Sequence, residues 1–264
     1  MTAAMRVVPD RKIVINADDF GFSGPVNRAI VQAFERGLIS STTLMVNMPG
    51  FEEACELAHR HDLQGKIGLH LNLTAGRPLT SAIASSMRFC DAEGCWRPRQ
   101  RVLKLNHEED RALETEIAAQ IDACQRRGIT PTHLDSHHHM HTEWGVSTVV
   151  IRVARLYKIP GIRLAINCGE GRRGISKLHH NFARCYWLLH NARLRSYGLA
   201  RTRYFGGVAD VGRVVEKTSA DIEVMVHPSL NSQGQLVDSD GHDLESHIRA
   251  LGLPAKVLES YAGL

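Results

Sequence analysis

Lys12-Ile-Val-Ile-Asn-Ala-Asp-Asp-Phe-Gly21 is the stretch on which the fold turns. Ile13, Val14 and Ile15 form an apolar run without alternation, the pattern of a strand buried on both faces. Two adjacent carboxylates and a glycine follow, which suits an exit from a sheet into a turn. Ser23-Gly-Pro-Val-Asn27 then opens a helix in which Val26, Ile30, Ala33 and Phe34 recur at helical spacing, and Gly37 closes it. The unit is strand, polar turn, helix.

The unit recurs along the chain. Thr42–Asn47 predicts a second strand, broken by Met48-Pro-Gly, and Phe51–Arg60 predicts a helix on Phe51, Ala54, Cys55 and Ala58. Lys66–Leu73 predicts a third strand. Glu108–Arg127 predicts an amphipathic helix on Leu113, Ile117, Ile121 and Cys124, ended by Gly128. Pro131–His137 reads as strand, Trp144–Tyr157 as helix, and Ile162–Ile166 and Ala220–Val226 as further strands. Residues 170–205 read as mostly helical and basic. Alternating strands and helices predict a parallel α/β architecture, and 264 residues fit one large barrel of that kind. Residues 1–264 are read as a single domain with loop insertions near 75–107 and 167–215, since no repeat or linker divides them.

With 43% hydrophobic residues the chain has ample material for a core. It contains no run of 18 apolar residues, so no transmembrane helix is expected. Met1–Pro9 lacks the apolar centre of a secretory signal, and the cytoplasm is the expected location. A net charge of +4 is slight, although Arg172, Arg173, Lys177, Arg184, Arg193, Arg195, Arg201 and Arg203 make a local surplus. No nucleic-acid motif accompanies it, so it reads as a solvated helix face, and neither nucleic acid nor a membrane is an expected partner. The six cysteines form no C-x-x-C pair and read as reduced and structural.

The unusual count is histidine, at 15, and its placement carries the chemistry. Three strands finish on metal-capable side chains: Asp18-Asp19, His70, and Asp135 with His137-His138-His139. In a barrel the C-terminal strand ends converge on one face. A two-residue period also sets His133, Asp135 and His137 on a common face. One carboxylate and two imidazoles make a three-ligand site with room for water, the arrangement of a hydrolytic centre. The second carboxylate of the Asp18-Asp19 pair can then stay off the metal as a base. His227, after the run Ile222–Val226, is placed to give a leaving amine its proton. Each feature has a plainer reading: an Asp-Asp turn, a satisfied core histidine, a polar histidine loop. Their joint occurrence at three strand ends is what favours chemistry. Arg163, Tyr204 and Phe205 are candidate substrate contacts by position, as are Asn16 and Asn72. His59, His61, His107, His179, His180, His190, His242 and His247 receive no role.

Asn16-Ala-Asp-Asp-Phe-Gly21, Ser41-Thr-Thr-Leu-Met-Val-Asn47, Gly68-Leu-His-Leu-Asn-Leu-Thr74 and Pro131-Thr-His-Leu-Asp-Ser-His-His-His-Met-His141 resemble, in order and spacing, the signature blocks of the YdjC/ChbG carbohydrate deacetylases. The resemblance implies a distorted (β/α) barrel, TIM-barrel-like and related to the polysaccharide deacetylases. It implies a divalent metal and removal of an N-acetyl group from an amino sugar or an oligosaccharide that contains one. Position by position, it makes Asp19, His70 and His137 the metal ligands and Asp18 the base. Met225-Val-His-Pro-Ser229 resembles a late block in which glycine is usual where Ser229 stands, which bears on His227 as the acid. A homodimer is also implied. Two imidazoles favour zinc, with magnesium or manganese as alternatives. A metal phosphoesterase on a barrel is the competing reading, and a sugar- or metal-binding barrel without turnover is a third. A phosphoesterase commonly needs more carboxylate ligands than are placed here, and pure binding needs no base beside the metal.

Overall fold

Burial on both faces, which the unbroken run Ile13–Ile15 implies, is what the computed structural model shows for the first strand. The structure describes residues 11–168, 177–253 and 258–264. Strands β1 (Ile13–Phe20), β2 (Ser41–Leu44), β3 (Ile67–Leu71), β4 (Leu134–Ser136), β5 (Tyr204–Gly207) and β6 (Ile222–Val226) form one sheet in the order β4-β3-β2-β1-β6-β5. Every pairing in it is parallel. Ile13, Val14 and Ile15 at its centre are fully buried, and each contributes about 1.5–3 kcal/mol by leaving water.

The sheet curls until one segment reaches both of its edges. Leu134 N donates to Gly161 O (2.9 Å) and Arg163 N to Leu134 O (2.9 Å) on the β4 side. On the β5 side Asn167 N donates to Phe205 O (3.2 Å). The result is a distorted barrel. Only Ile162 makes a ladder contact, with Leu134, so the strand expected over Ile162–Ile166 is an irregular closing segment.

Helices α1 (Gly24–Glu35), α2 (Phe51–Arg60), α3 (Ser81–Ala84), α4 (His107–Arg126), α5 (Trp144–Leu156), α6 (Lys177–Ser196), α7 (Val208–Val211) and α8 (Leu244–Arg249) complete the described architecture, with a hairpin of β7 (Ser229–Leu230) and β8 (Leu236–Val237). Pro25 lies in the first turn of α1, where its missing N–H is harmless. In α4 the Asn106 side chain accepts from Glu109 N while the Glu109 carboxylate accepts from Asn106 N, a reciprocal cap. Its buried face includes Leu113, Ile117, Ile121 and Cys124, as the helical period predicts.

Two stretches gain detail. Residues 75–107 are more than a loop: Phe89, Cys90, Trp96 and Val102 are buried. Buried Glu116 of α4 holds the stretch by accepting from Leu79 N and Thr80 N. The segment 170–205, read as mostly helical, is helical over Lys177–Ser196 and then leads into β5. Arg172 and Arg173 lie outside the described residues. Among those described, no helix is long and apolar enough to cross a membrane.

Candidate metal centre

Strand β1 does not end before its carboxylates, as the sequence suggests, but carries them. The register against β2 slips between Ala17 and Phe20, and Asp19 takes a positive φ of 72°. Such a bulge re-aims side chains at the rim of a sheet. Here it lets two consecutive aspartates both face the barrel interior, Asp18 downward and Asp19 toward the mouth. Gly21 follows at φ 91°, where a Cβ would lie 2.5 Å from Met45 O, so only glycine fits the turn.

Strands β3 and β4 supply the histidines. His70 pairs in register with Asp135, and its Nδ1 lies 2.7 Å from Asp135 Oδ1 and 3.1 Å from Thr43 Oγ1. A carboxylate on Nδ1 fixes the ring and leaves Nε2 to face the mouth. Burial opposes a charge on His70, but Asp135, with Asp19 and Asp18, outweighs it and pushes the imidazole up to about 10. Beyond β4 the chain enters a tight turn, His137–Thr142, with His138 and His139 both at positive φ (54° and 57°). The expected alternation of β4 holds as three levels. His133 stacks on Tyr261 at the bottom, Asp135 meets His70 in the middle, and His137 reaches Asp19 at the mouth.

At the mouth, Asp19 Oδ1 is 3.2 Å from His70 Nε2 and 3.0 Å from His137 Nδ1. Neither approach has hydrogen-bond geometry, and this buried oxygen has no other partner. Burial would raise the Asp19 carboxyl, yet the two imidazoles hold it well below the usual carboxylate range. These separations are close to the roughly 3.3 Å between ligand atoms on a tetrahedral cation with 2.0–2.1 Å bonds. The donor set therefore fits a zinc-like ion. Asp18, His70 and Asp135 also converge, but the two aspartates already bind a guanidinium. A third group, Asp238, Asp240 and His247, follows β8, where Asp238 Oδ1 accepts from His227 N (2.7 Å).

Under the mouth lies Arg163, fully buried. Its Nη1 and Nη2 each donate to one oxygen of Asp18 (both 2.7 Å), Nη1 also approaches Asp135 Oδ2 (2.6 Å), and Nε donates to Glu223 Oε1 (2.7 Å). Tyr261 donates its hydroxyl to the other oxygen of Glu223. Burial would raise Asp18, but Arg163 holds it well below the normal range; for Glu223 burial prevails and the carboxyl rises to about 7.

The structure thus brings Asp18, Asp19, His70 and His137 together. His227 Nε2 lies 3.9 Å from Asp18 Oδ2, on a partly exposed side chain. Four of the five expected substrate contacts are placed differently: Arg163, Phe205, Asn16 and Asn72 are fully buried. Arg163 packs over the Phe205 ring at 4.8 Å, Asn16 donates to Asp18 and Thr43, and Asn72 ties Asn47 to Ala75. They support the site from within. Tyr204 is half-buried at the start of β5. Thr43, Glu223, Tyr261 and the half-exposed rim residue Phe22, whose ring centre is 6.3 Å from that of His137, carried no assigned role. For Glu223 a signal existed, because a charge inside the apolar run Ile222–Val226 demands a buried partner.

Fold and site together define an α/β-barrel protein with two histidines and an aspartate converging at its C-terminal mouth. A family model described as YdjC-like protein matches residues 12–252, and the chain belongs to that family. It is 41% identical over 149 residues to a carbohydrate deacetylase of Brevibacillus brevis, a match covering 56% of this chain and 58% of the relative. A carbohydrate deacetylase of Vibrio cholerae serotype O1 (strain M66-2) is 40% identical over 150 residues, covering 56% and 57%. The matches therefore span under two thirds of these curated relatives. A crystal structure from Enterococcus faecalis V583, provisionally described as a cellobiose-phosphate cleavage protein, superposes with a TM-score of 0.68. It covers 96% of this chain and 98% of its own at 22% identity, which speaks to the fold alone.

Proposed function

We propose that this protein is a metal-dependent hydrolase that removes the N-acetyl group from an amino sugar or an amino-sugar-containing oligosaccharide or glycoconjugate, releasing acetate. The observation that carries the reading is Asp19 Oδ1, buried without a hydrogen bond at 3.2 and 3.0 Å from two imidazole nitrogens. The names of the relatives point to the same reaction class.

Asp19, His70 and His137 would hold the ion, zinc before magnesium or manganese, given two nitrogen donors. Such a cation polarises the amide carbonyl and acidifies water. The protein supplies the rest. Asp135 keeps the His70 ring turned so that Nε2 faces the mouth. Arg163 keeps Asp18 ionised and oriented, so a proton taken up there is not retained. His227, 3.9 Å from Asp18, would give a departing amine its proton. Asp18 is the base and His227 the acid in this reading.

The test is acetate release from a panel of N-acetylated sugars by chelator-stripped protein reloaded with single metals. Release that requires one ion per chain supports the proposal. A protein that binds one ion and releases no acetate from any sugar defeats it.

A further inference from the structure

The metal-facing residues rest on Arg163, and Arg163 itself is held from the far side. Two of its nitrogens are committed to Asp18, and one of these also to Asp135, while Nε is committed to Glu223. A guanidinium is rigid and planar, so fixing Nε fixes the plane in which the other two nitrogens lie. Glu223 is in turn fixed by the Tyr261 hydroxyl. The Tyr261 ring stacks on His133 with centroids 3.6 Å apart and planes 8° from parallel. Gly68 makes room for that stack, since a Cβ there would meet the His133 ring at 2.4 Å. Arg163, Glu223 and His133 are fully buried and Tyr261 almost so. The C-terminal residues reach this position because Glu259 N donates to Ile13 O (2.9 Å) at the start of β1.

From this we infer that Glu223 and Tyr261 are positioning residues for the metal centre. They orient Arg163, which aims Asp18 and, through Asp135, the Nε2 of His70. The inference rests on Asp19, His70 and His137 being metal ligands. Outer partners of ligands typically change affinity or activity 10- to 100-fold when removed.

The experiment measures zinc affinity by competition with a chromophoric chelator, and kcat and KM at saturating zinc. Glu223→Leu is expected to weaken zinc about tenfold and to lower kcat about tenfold with KM unchanged. Glu223→Gln keeps a carbonyl oxygen for Arg163 Nε and should restore both values to within about twofold of wild type. Zinc affinity and kcat equal to wild type in Glu223→Leu overturn the inference, as does failure of Glu223→Gln to rescue. If Glu223→Leu does not fold, Tyr261→Phe removes only the hydroxyl and leaves the ring on His133. It should shift zinc affinity about threefold in the same direction, and no shift overturns the inference. Wild-type protein that binds zinc but releases no acetate defeats the deacetylase reading alone, and the affinity measurements then decide the role of Glu223.

Discussion

The mouth and the floor of this barrel are built from the same residue types in opposite states. At the floor each donor group of Arg163 has a carboxylate, and Asp18, Asp135 and Glu223 share the cation. At the mouth Asp19 and His137 are partly exposed, and Asp19 Oδ1 lies among nitrogens that make it no hydrogen bond. A saturated carboxylate is fixed, and an unsaturated one is ready for a cation. Asp18 stands between them, saturated by Arg163 below and facing His227 above. Stability should therefore reside in the floor and reactivity in the mouth.

The largest effects should break along that line. Asp19→Ala removes the shared oxygen of the mouth. It is expected to abolish stoichiometric zinc binding and to cut acetate release on the order of a thousandfold. The Tm of the chelated protein should fall by less than that of Arg163→Met, because what is lost is the attraction of a partly exposed carboxylate for two imidazoles. Arg163→Met is the converse cut. It leaves three buried carboxylates facing one another and should cost about 3–5 kcal/mol, roughly 10 °C in Tm at this size. An Arg163→Met protein with wild-type Tm would mean that the floor is not what holds the barrel.

Acid provides an intermediate test. Burial keeps His133 and His141 well below their usual range, with Arg163 adding to this at His133 and His139 at His141. It brings His139 down to about 3 and His190 to about 4. Unfolding frees these imidazoles to take up protons near 6.5, so stability falls as pH drops below that value. Glu223 acts in the opposite sense. Its folded value of about 7 lies above the unfolded one, so unfolding releases its proton between 4.5 and 7. His70, raised to about 10, contributes fully below 6.5 and loses that contribution only as pH rises through 10. Four groups outweigh one, and the chelated protein should lose stability from pH 6.5 to 4.5. His190→Gln should flatten that loss by about 1.4 kcal/mol per pH unit, measured by urea unfolding. An unchanged slope would mean that His190 is not buried as a neutral group.

Much of the mouth was legible because each of its residues ends a strand whose pattern is plain. The apolar run Ile13–Ile15 places Asp18-Asp19, Gly-Leu-His places His70, and alternation from His133 places His137. The floor was harder to read because its partners are remote in sequence. Arg163 and Glu223 are 60 residues apart, and Arg163 and Asp18 are 145 apart. Single charges within the apolar runs 162–166 and 222–226 signal a buried pair without naming the partner, so position alone makes Arg163 a candidate substrate contact. Tyr261 had no signal at all, because only the closed barrel brings the C-terminal residues beneath β1. The irregularity of 161–167 was hidden for a related reason: its apolar pattern reads as strand, whereas its backbone divides its hydrogen bonds between two sheet edges.

Thr43 gives the gentlest cut, at the seam between the two levels. Its hydroxyl donates to Asp135 Oδ2 (3.1 Å), accepts from Asn16 Nδ2 (3.2 Å), and lies 3.1 Å from His70 Nδ1. Asp135 keeps Arg163 and His70 when that hydroxyl goes, whereas Asn16 keeps only Asp18. Thr43→Val should thus cost about 1–2 kcal/mol in stability, the loss of one buried hydrogen bond with a partly unpaired amide. Zinc affinity should fall less than about tenfold, since the 2.7 Å pair that turns His70 remains. A fall as large as that of Asp19→Ala would place Thr43 in the mouth and redraw the boundary. A loss of stability without any change in zinc affinity would mean that the hydroxyl serves Asn16 and has no part in turning His70.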